Sequence, residues 1–276
     1  MLALKNTKDI TLVYIVCRED LPNLYLSLCS IKQNWVGNKK ILIIEDNQTN
    51  KVNSLEVVKS INFNHTWDIK ILQGDRLTLE FGWDRQQIYK LTSQLHTTTS
   101  WSIILDCKNM LIKPESGNSF INETTVYVPG LNIKITQTNE WGEQSRVYSK
   151  SLVNGVDTNI KPFTLTPFVF NRELTNELNS KFNYNELTEL KFTEFYLYWY
   201  YTNTKLPYTA HYVNSGAYAE NINIDIPEET IILNIHRRHA KNKQLIQQLT
   251  NILLEKSVVN AQQVGNYYTL LDRFCI

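Results

Sequence analysis

A chain of 276 residues, 42% hydrophobic and 20% charged, is long enough to bury a sizeable core and too apolar to remain disordered. Its formal net charge of +1 gives no bulk electrostatic reason to bind nucleic acid or an anionic membrane surface. No apolar run approaches the ~18 residues of a membrane-spanning helix.

Cys17, Cys29, Cys107 and Cys275 include no Cys-x-x-Cys pair and are too few for a disulfide framework. Free thiols in a reducing, cytoplasmic setting are expected. The charged N-terminal residues 1–9 do not resemble a signal peptide. Sequons at Asn47, Asn64 and Asn122 fit the abundance of Asn and Thr and do not argue for secretion. The 15 Tyr and 6 Trp suit a core and its rim as readily as the lining of a carbohydrate or nucleotide site.

In chain order, residues 10–17 form a β-branched, apolar run and predict a strand. Leu24, Leu28, Ile31 and Trp35 recur at helical spacing over 21–35. Strands follow at 40–45 and 68–73. A helix is expected over 82–95, with Ile88, Leu91 and Leu95 as its apolar stripe, and a fourth strand over 101–105. This alternation predicts an α/β fold: a mainly parallel central sheet flanked by helices. The second half reads as an irregular α+β region. Short strands are expected at 124–129 and 132–136, and an extended segment at 166–170. Helices are expected at 172–178 and 193–201, a late strand at 231–235, and an amphipathic helix at 241–255. With no linker, repeat or low-complexity tract, residues 1–276 read as one domain.

The most informative stretch is Ile103-Ile104-Leu105-Asp106-Cys107-Lys108-Asn109. An apolar run that stops at an acid reads as a strand buried on both faces, its carboxyl end at the ligand-binding edge of an open α/β sheet. Polar clusters also follow the other strands, at Arg18-Glu19-Asp20, Glu45-Asp46-Asn47 and Asp75-Arg76. Together they outline a cleft, or a set of solvated turns. No glycine-rich dinucleotide or P-loop motif, no Gly-x-Ser-x-Gly elbow and no His-Glu-x-x-His motif is present.

Several features occur in an order and spacing that resembles GT-A glycosyltransferases. These are the polar turn after the first strand, Glu45-Asp46, Gly82-Trp83 with Gln86-Gln87 and Lys90-Leu91, and Leu105-Asp106-x-Lys108-Asn109. The likeness extends over about residues 10–240, with Thr166-Pro167 and Glu194-Phe195 fitting as well. It points to a poorly characterised group of bacterial and phage-borne glycosyltransferase-like proteins. The resemblance implies a GT-A, Rossmann-like fold with a nucleotide-binding half, 1–113, and an acceptor-side half with the C-terminal helix, 114–276. It implies a nucleotide-sugar donor held at the carboxyl edge and a glycan acceptor. Arg18 would border the nucleoside, Asp46 would reach the base or ribose, and Gln87 and Lys90 would approach the diphosphate.

The family uses Asp-x-Asp to hold a divalent ion that neutralises the departing diphosphate. Here Lys108 replaces the second acid. Either Asp106, Asn109 and His236 still bind Mn²⁺ or Mg²⁺, or Lys108 supplies the charge itself, or Asp106 merely caps a turn. His236 and His239 enclose Arg237 and Arg238. That pair suits bidentate phosphate contact, or a basic surface turn. Removal of an acceptor proton needs a carboxylate; Glu194 is the candidate and Glu140, on a Trp-containing loop, the fallback. A glycosyltransferase is therefore expected, with Asp106 and Glu194 in its chemistry. The alternatives are a non-catalytic carbohydrate- or nucleotide-binding module and a structural surface protein.

Overall fold

The computed structural model describes residues 4, 6–48, 51–131, 140–158, 166–184, 187, 189–217, 226, 228, 230–235 and 242–274, with backbone alone at 128–131, 140, 210–217 and 235. The chain runs β1 (Ile10–Val16), a 3-10 turn (Arg18–Asp20), α1 (Leu21–Asn34), β2 (Lys40–Glu45), α2 (Ser54–Ile61), β3 (Asp68–Gln73) and α3 (Gly82–Thr92). A second 3-10 turn (Ser93–His96) leads to β4 (Trp101–Leu105), β5 (Asn109–Leu111), β6 (Val126–Leu131), α4 (Glu140–Leu152), β7 (Phe168–Asn171) and α5 (Arg172–Asn179). There follow α6 (Glu194–Thr202), β8 (Tyr208–Ala217), β9 (Ile232–Ile235), α7 (Lys243–Glu255) and α8 (Ala261–Phe274).

The central sheet has the order β3-β2-β1-β4-β7, parallel except for β7. Strand period two divides its side chains between two cores. Leu12, Tyr14, Ile41, Ile43, Ile103 and Leu105 pack on one face with α1 and the C-terminal helices. Val13, Ile15, Leu42, Ile44 and Ile104 pack on the other with α3, α5 and α6. Burial on both faces is why these strands read as unbroken apolar runs. A second sheet, β5-β9-β8-β6, lies beyond the end of β4.

Two features of this frame bear on the strand ends. Helix α1 is buried on nearly every side, including Ser27, Ser30 and Asn34. These polar residues hold β5: Ser27 Oγ donates to Asn109 O at 2.5 Å, Asn34 Nδ2 donates to Leu111 O at 2.7 Å, and Ser30 Oγ accepts from Leu111 N at 2.9 Å. The turn between β4 and β5 is thereby fixed from behind. The second feature is Glu45, the last residue of β2. Its carboxylate accepts from Ser54 N and Gln73 Nε2, both at 2.6 Å, and so ties the starts and ends of three elements together.

β2, β3 and β4 have the expected bounds, and β1 and α1 each end one residue early. The helix expected over 82–95 stops at Thr92, so Leu95 falls in the 3-10 turn and is 57% exposed rather than part of the stripe. Helices α2 and α8 and strands β5 and β8 lie outside the expected pattern. α2 is short but carries a side-chain N-cap, with Asn53 Oδ1 accepting from Glu56 N. Glu140 begins a helix rather than lying in a loop. The buried stripe of α4 is made of Ser145 and Ser149, packed toward α6, so apolar periodicity could not reveal it. The strand expected at 132–136 lies outside the described residues. Among the described residues no helix is long and apolar enough to cross a membrane.

Ile104, wholly buried in the center of the sheet, has no room to be truncated without leaving a cavity. Ile104→Ala should cost about 2–5 kcal/mol in urea unfolding, against less than about 0.5 kcal/mol for exposed Val36→Ala.

Candidate active site at the carboxyl edge

Asp46 and Asp106 follow directly on β2 and β4, which flank β1. The two strand ends are therefore two spacings apart, about 9.5 Å. Helix α3 bridges them. Arg85 bonds Asp46 and Lys90 bonds Asp106, and five residues of helix advance about 7.5 Å. α3 thus lies across the strand ends and lays two cations over two acids.

The Arg85 end is closed. Arg85 Nε lies 3.1 and 3.2 Å from the Asp46 oxygens and Nη2 3.0 Å from Oδ2. Nη1 donates to the carbonyls of Leu79 and Glu80 at 3.2 and 2.6 Å. With both side chains at most 2% exposed, the pair is satisfied and dry.

The Lys90 end is more open. Lys90 Nζ lies 2.9 Å from Glu194 Oε1, 3.5 Å from Asp106 Oδ1 and 4.9 Å from the centroid of the Phe195 ring. Phe195 stacks in turn on Phe168 at 4.6 Å. Gln87, one turn before Lys90, accepts from Glu194 N at 3.2 Å, and Thr193 Oγ1 caps α6 by accepting from Tyr196 N. α3 therefore grips the first turn of α6 at two points. Asp106 N donates to Asn109 Oδ1 at 2.7 Å, and Asp106 O accepts from Asn109 N at 2.9 Å. The Asp106 carboxylate, beside Lys108, keeps 36% of its side-chain surface exposed.

Burial alone would drive both acids toward their neutral forms and Lys90 toward its own. For Asp106 the nearby ammonium groups of Lys90 and Lys108 and the Thr166 hydroxyl outweigh burial and lower its pKa. For Glu194 burial prevails over the Lys90 ammonium, with the Asp106 charge adding to it, and its pKa is raised. For Lys90 burial is outweighed by Glu194 and Asp106 together, which hold it charged.

Of the residues singled out from the sequence, Asp106, Lys90, Gln87 and Glu194 converge, with Lys108 beside them. Asn109 is buried and its side-chain oxygen faces Asp106 N. Asp46 is enclosed with Arg85. Arg18 is exposed, its guanidinium 5.8 Å from the Phe274 ring on α8. His236 and Arg237 lie outside the described residues, as does the side chain of Glu140. Arg85 carried no signal in the sequence, since it stands off the apolar stripe of its helix. Thr166 could be found only through its place before Pro167.

A divalent ion on Asp106 is the expectation that these contacts oppose. Among the described residues no three His, Cys, Asp or Glu side chains gather as ligands. The Asp106 oxygen faces Lys90, and a dication about 4 Å from an ammonium is repelled by roughly 8 kcal/mol at an effective dielectric near 20. The described residues do not fit the metal.

Strand order, the crossing helix and the acid after β4 together make a GT-A glycosyltransferase-like fold. The chain is similar to the crystal structure of galactosyltransferase LgtC in complex with donor and acceptor sugar analogs. The TM-score is 0.52 over 92% of this chain and 99% of that one, at 8% identity, so the likeness is one of fold. No protein-family model matches the chain, and no curated protein matches it.

The two acids should give opposite pH signatures. Asp106, with a lowered folded-state pKa, contributes stability above the unfolded value of about 3.9 that is lost as pH falls through the folded value. Glu194, with a raised one, contributes stability at low pH that is lost as pH rises from about 4.3 toward its folded value. In urea unfolding across this range, Asp106→Asn should flatten the acid-side loss, and Glu194→Gln should remove the decline above pH ~4.3.

Proposed function

We propose that this chain is a glycosyltransferase that moves a sugar from a nucleotide-sugar donor to a glycan or other surface-polymer acceptor. On this reading it is akin to the bacterial and phage-borne glycosyltransferase-like proteins that carry Asp-x-Lys-Asn in place of Asp-x-Asp. The observation that carries the proposal is Asp106. It is a part-exposed carboxylate at the end of β4, held between Lys90 and Lys108 on a fold of this class. Its lowered pKa keeps it ionised, as an acceptor for hydroxyls of the donor sugar. Glu194, raised by burial, is the carboxyl group better matched to taking an acceptor proton, with Lys90 between the two.

Lys108 is the cation next to Asp106 and would meet the diphosphate, with Arg237 as a second partner and Lys90 and Gln87 behind. Arg18 would border the nucleoside, whereas Asp46, closed in its pair with Arg85, supports the edge from within. The reading takes residues 1–276 as one working unit in the cytoplasm. A second reading, a binding module without turnover, is favoured by one observation: a single ammonium holds both carboxylates that catalysis would use.

Calorimetry and thermal unfolding with UDP- and GDP-sugars test the proposal. A donor at about 100 times its Kd should stabilise the protein by about 2.7 kcal/mol. Donor turnover should fall by at least about 100-fold in Asp106→Ala and be unchanged in Val36→Ala. Binding without turnover would favour a carbohydrate- or nucleotide-binding module; no binding to any nucleotide-sugar would sink the glycosyltransferase.

A further inference from the structure

Two carboxylates that belong to distant parts of the chain face one point, and a lysine fills that point. Asp106 comes from the end of β4 and Glu194 from the start of α6, and their oxygens lie 3.5 and 2.9 Å from the same nitrogen. Carboxylate oxygens from two elements, β4 and α6, facing one point are donors of the kind that hard divalent cations take, with water completing the shell. Lys90 does not reach this position by chance of rotamer alone. Its helix is fastened on one side by Arg85 to Asp46 and on the other by Gln87 to the backbone of Glu194. The Phe195 ring lies 4.9 Å from the ammonium and favours a cation there. Lys90 and Glu194 are 9% and 2% exposed, so water screens their charges little, while the outer side of Asp106, 36% exposed, meets solvent.

We propose that Lys90 is a built-in counter-ion occupying a latent divalent-cation site formed by Asp106 and Glu194, so that ligand binding at this edge does not require a divalent metal. For the ligand, the inference rests on the nucleotide-sugar reading above; for the ion, it stands on the three side chains alone. A lysine differs from a metal in two ways that can be measured. It cannot be removed by a chelator, and its removal by mutation leaves Glu194 without its ammonium and Asp106 with Lys108 alone, both oxygens facing the vacated point.

The test is direct binding of Mn²⁺, followed by electron paramagnetic resonance and calorimetry without nucleotide, in wild type and in Lys90→Met, Lys90→Arg and Lys90→Met/Asp106→Asn. Wild type and Lys90→Arg should show no Mn²⁺ site that depends on Asp106. Lys90→Met should gain one site, at least tenfold tighter than any in wild type, and the double variant should lose it. Mn²⁺ bound by wild type and released in Asp106→Asn would overturn the proposal. So would a folded Lys90→Met that gains nothing. If Lys90→Met does not fold, wild type against Asp106→Asn decides, together with donor binding in EDTA, which should be unchanged. Absence of binding by all UDP- and GDP-sugars would defeat the glycosyltransferase reading and leave the ion question to the Mn²⁺ measurement.

Discussion

One ammonium shared between two carboxylates constrains much of what surrounds it. Lys90 and Glu194 cannot be buried singly, because an isolated charge in this setting costs several kcal/mol, and removal of one member of a buried pair typically costs about 3–5 kcal/mol. Their contact, and that of Lys90 with Asp106, require α3 to cross the strand ends, α6 to begin where it does, and β4 to stop at Asp106. The Arg85–Asp46 pair repeats the arrangement two strands away, so the helix is fastened at both ends. The serines of α1 that hold β5, and through it the Asp106–Asn109 turn, make the third side of the frame. What remains open to ligand is the outer face of Asp106 with Lys108 beside it.

The parallel layer was legible in the sequence because its strands are buried on both faces. Runs such as Ile103-Ile104-Leu105 and Ile41-Leu42-Ile43-Ile44 admit few other readings. The second half was less legible, for reasons that differ by element. α4 buries serines where a periodicity reading looks for leucines. β8 is rich in polar residues and pairs in parallel with β6 and β9, so neither its composition nor a hairpin turn announces it. α2 could have been found from Asn53 and Glu56, whose spacing is a capping signal that does not depend on apolar content.

The candidate site was legible as a set of positions and much less so as a set of contacts. Asp106 stood out because it ends an apolar strand, and Glu194 because it opens an aromatic helix. Nothing in the spacing of 90, 106 and 194 indicates that one nitrogen joins them, since their proximity is created by the fold. Asn109 illustrates the same limit. Its residue type suits a metal ligand, yet its oxygen closes a turn on Asp106 N. Asp46, too, looked like an open acid after a strand, and it is the inner half of a dry ion pair.

A double-mutant cycle between Lys90→Met and Glu194→Gln, read by urea unfolding at neutral pH, tests the shared-ammonium constraint most directly. If the two side chains act as one buried unit, the coupling energy should exceed about 1 kcal/mol, with each single change costing more than its share of the double. Additivity within about 0.5 kcal/mol would mean that Lys90 and Glu194 contribute independently, and the account of this edge given above would be wrong.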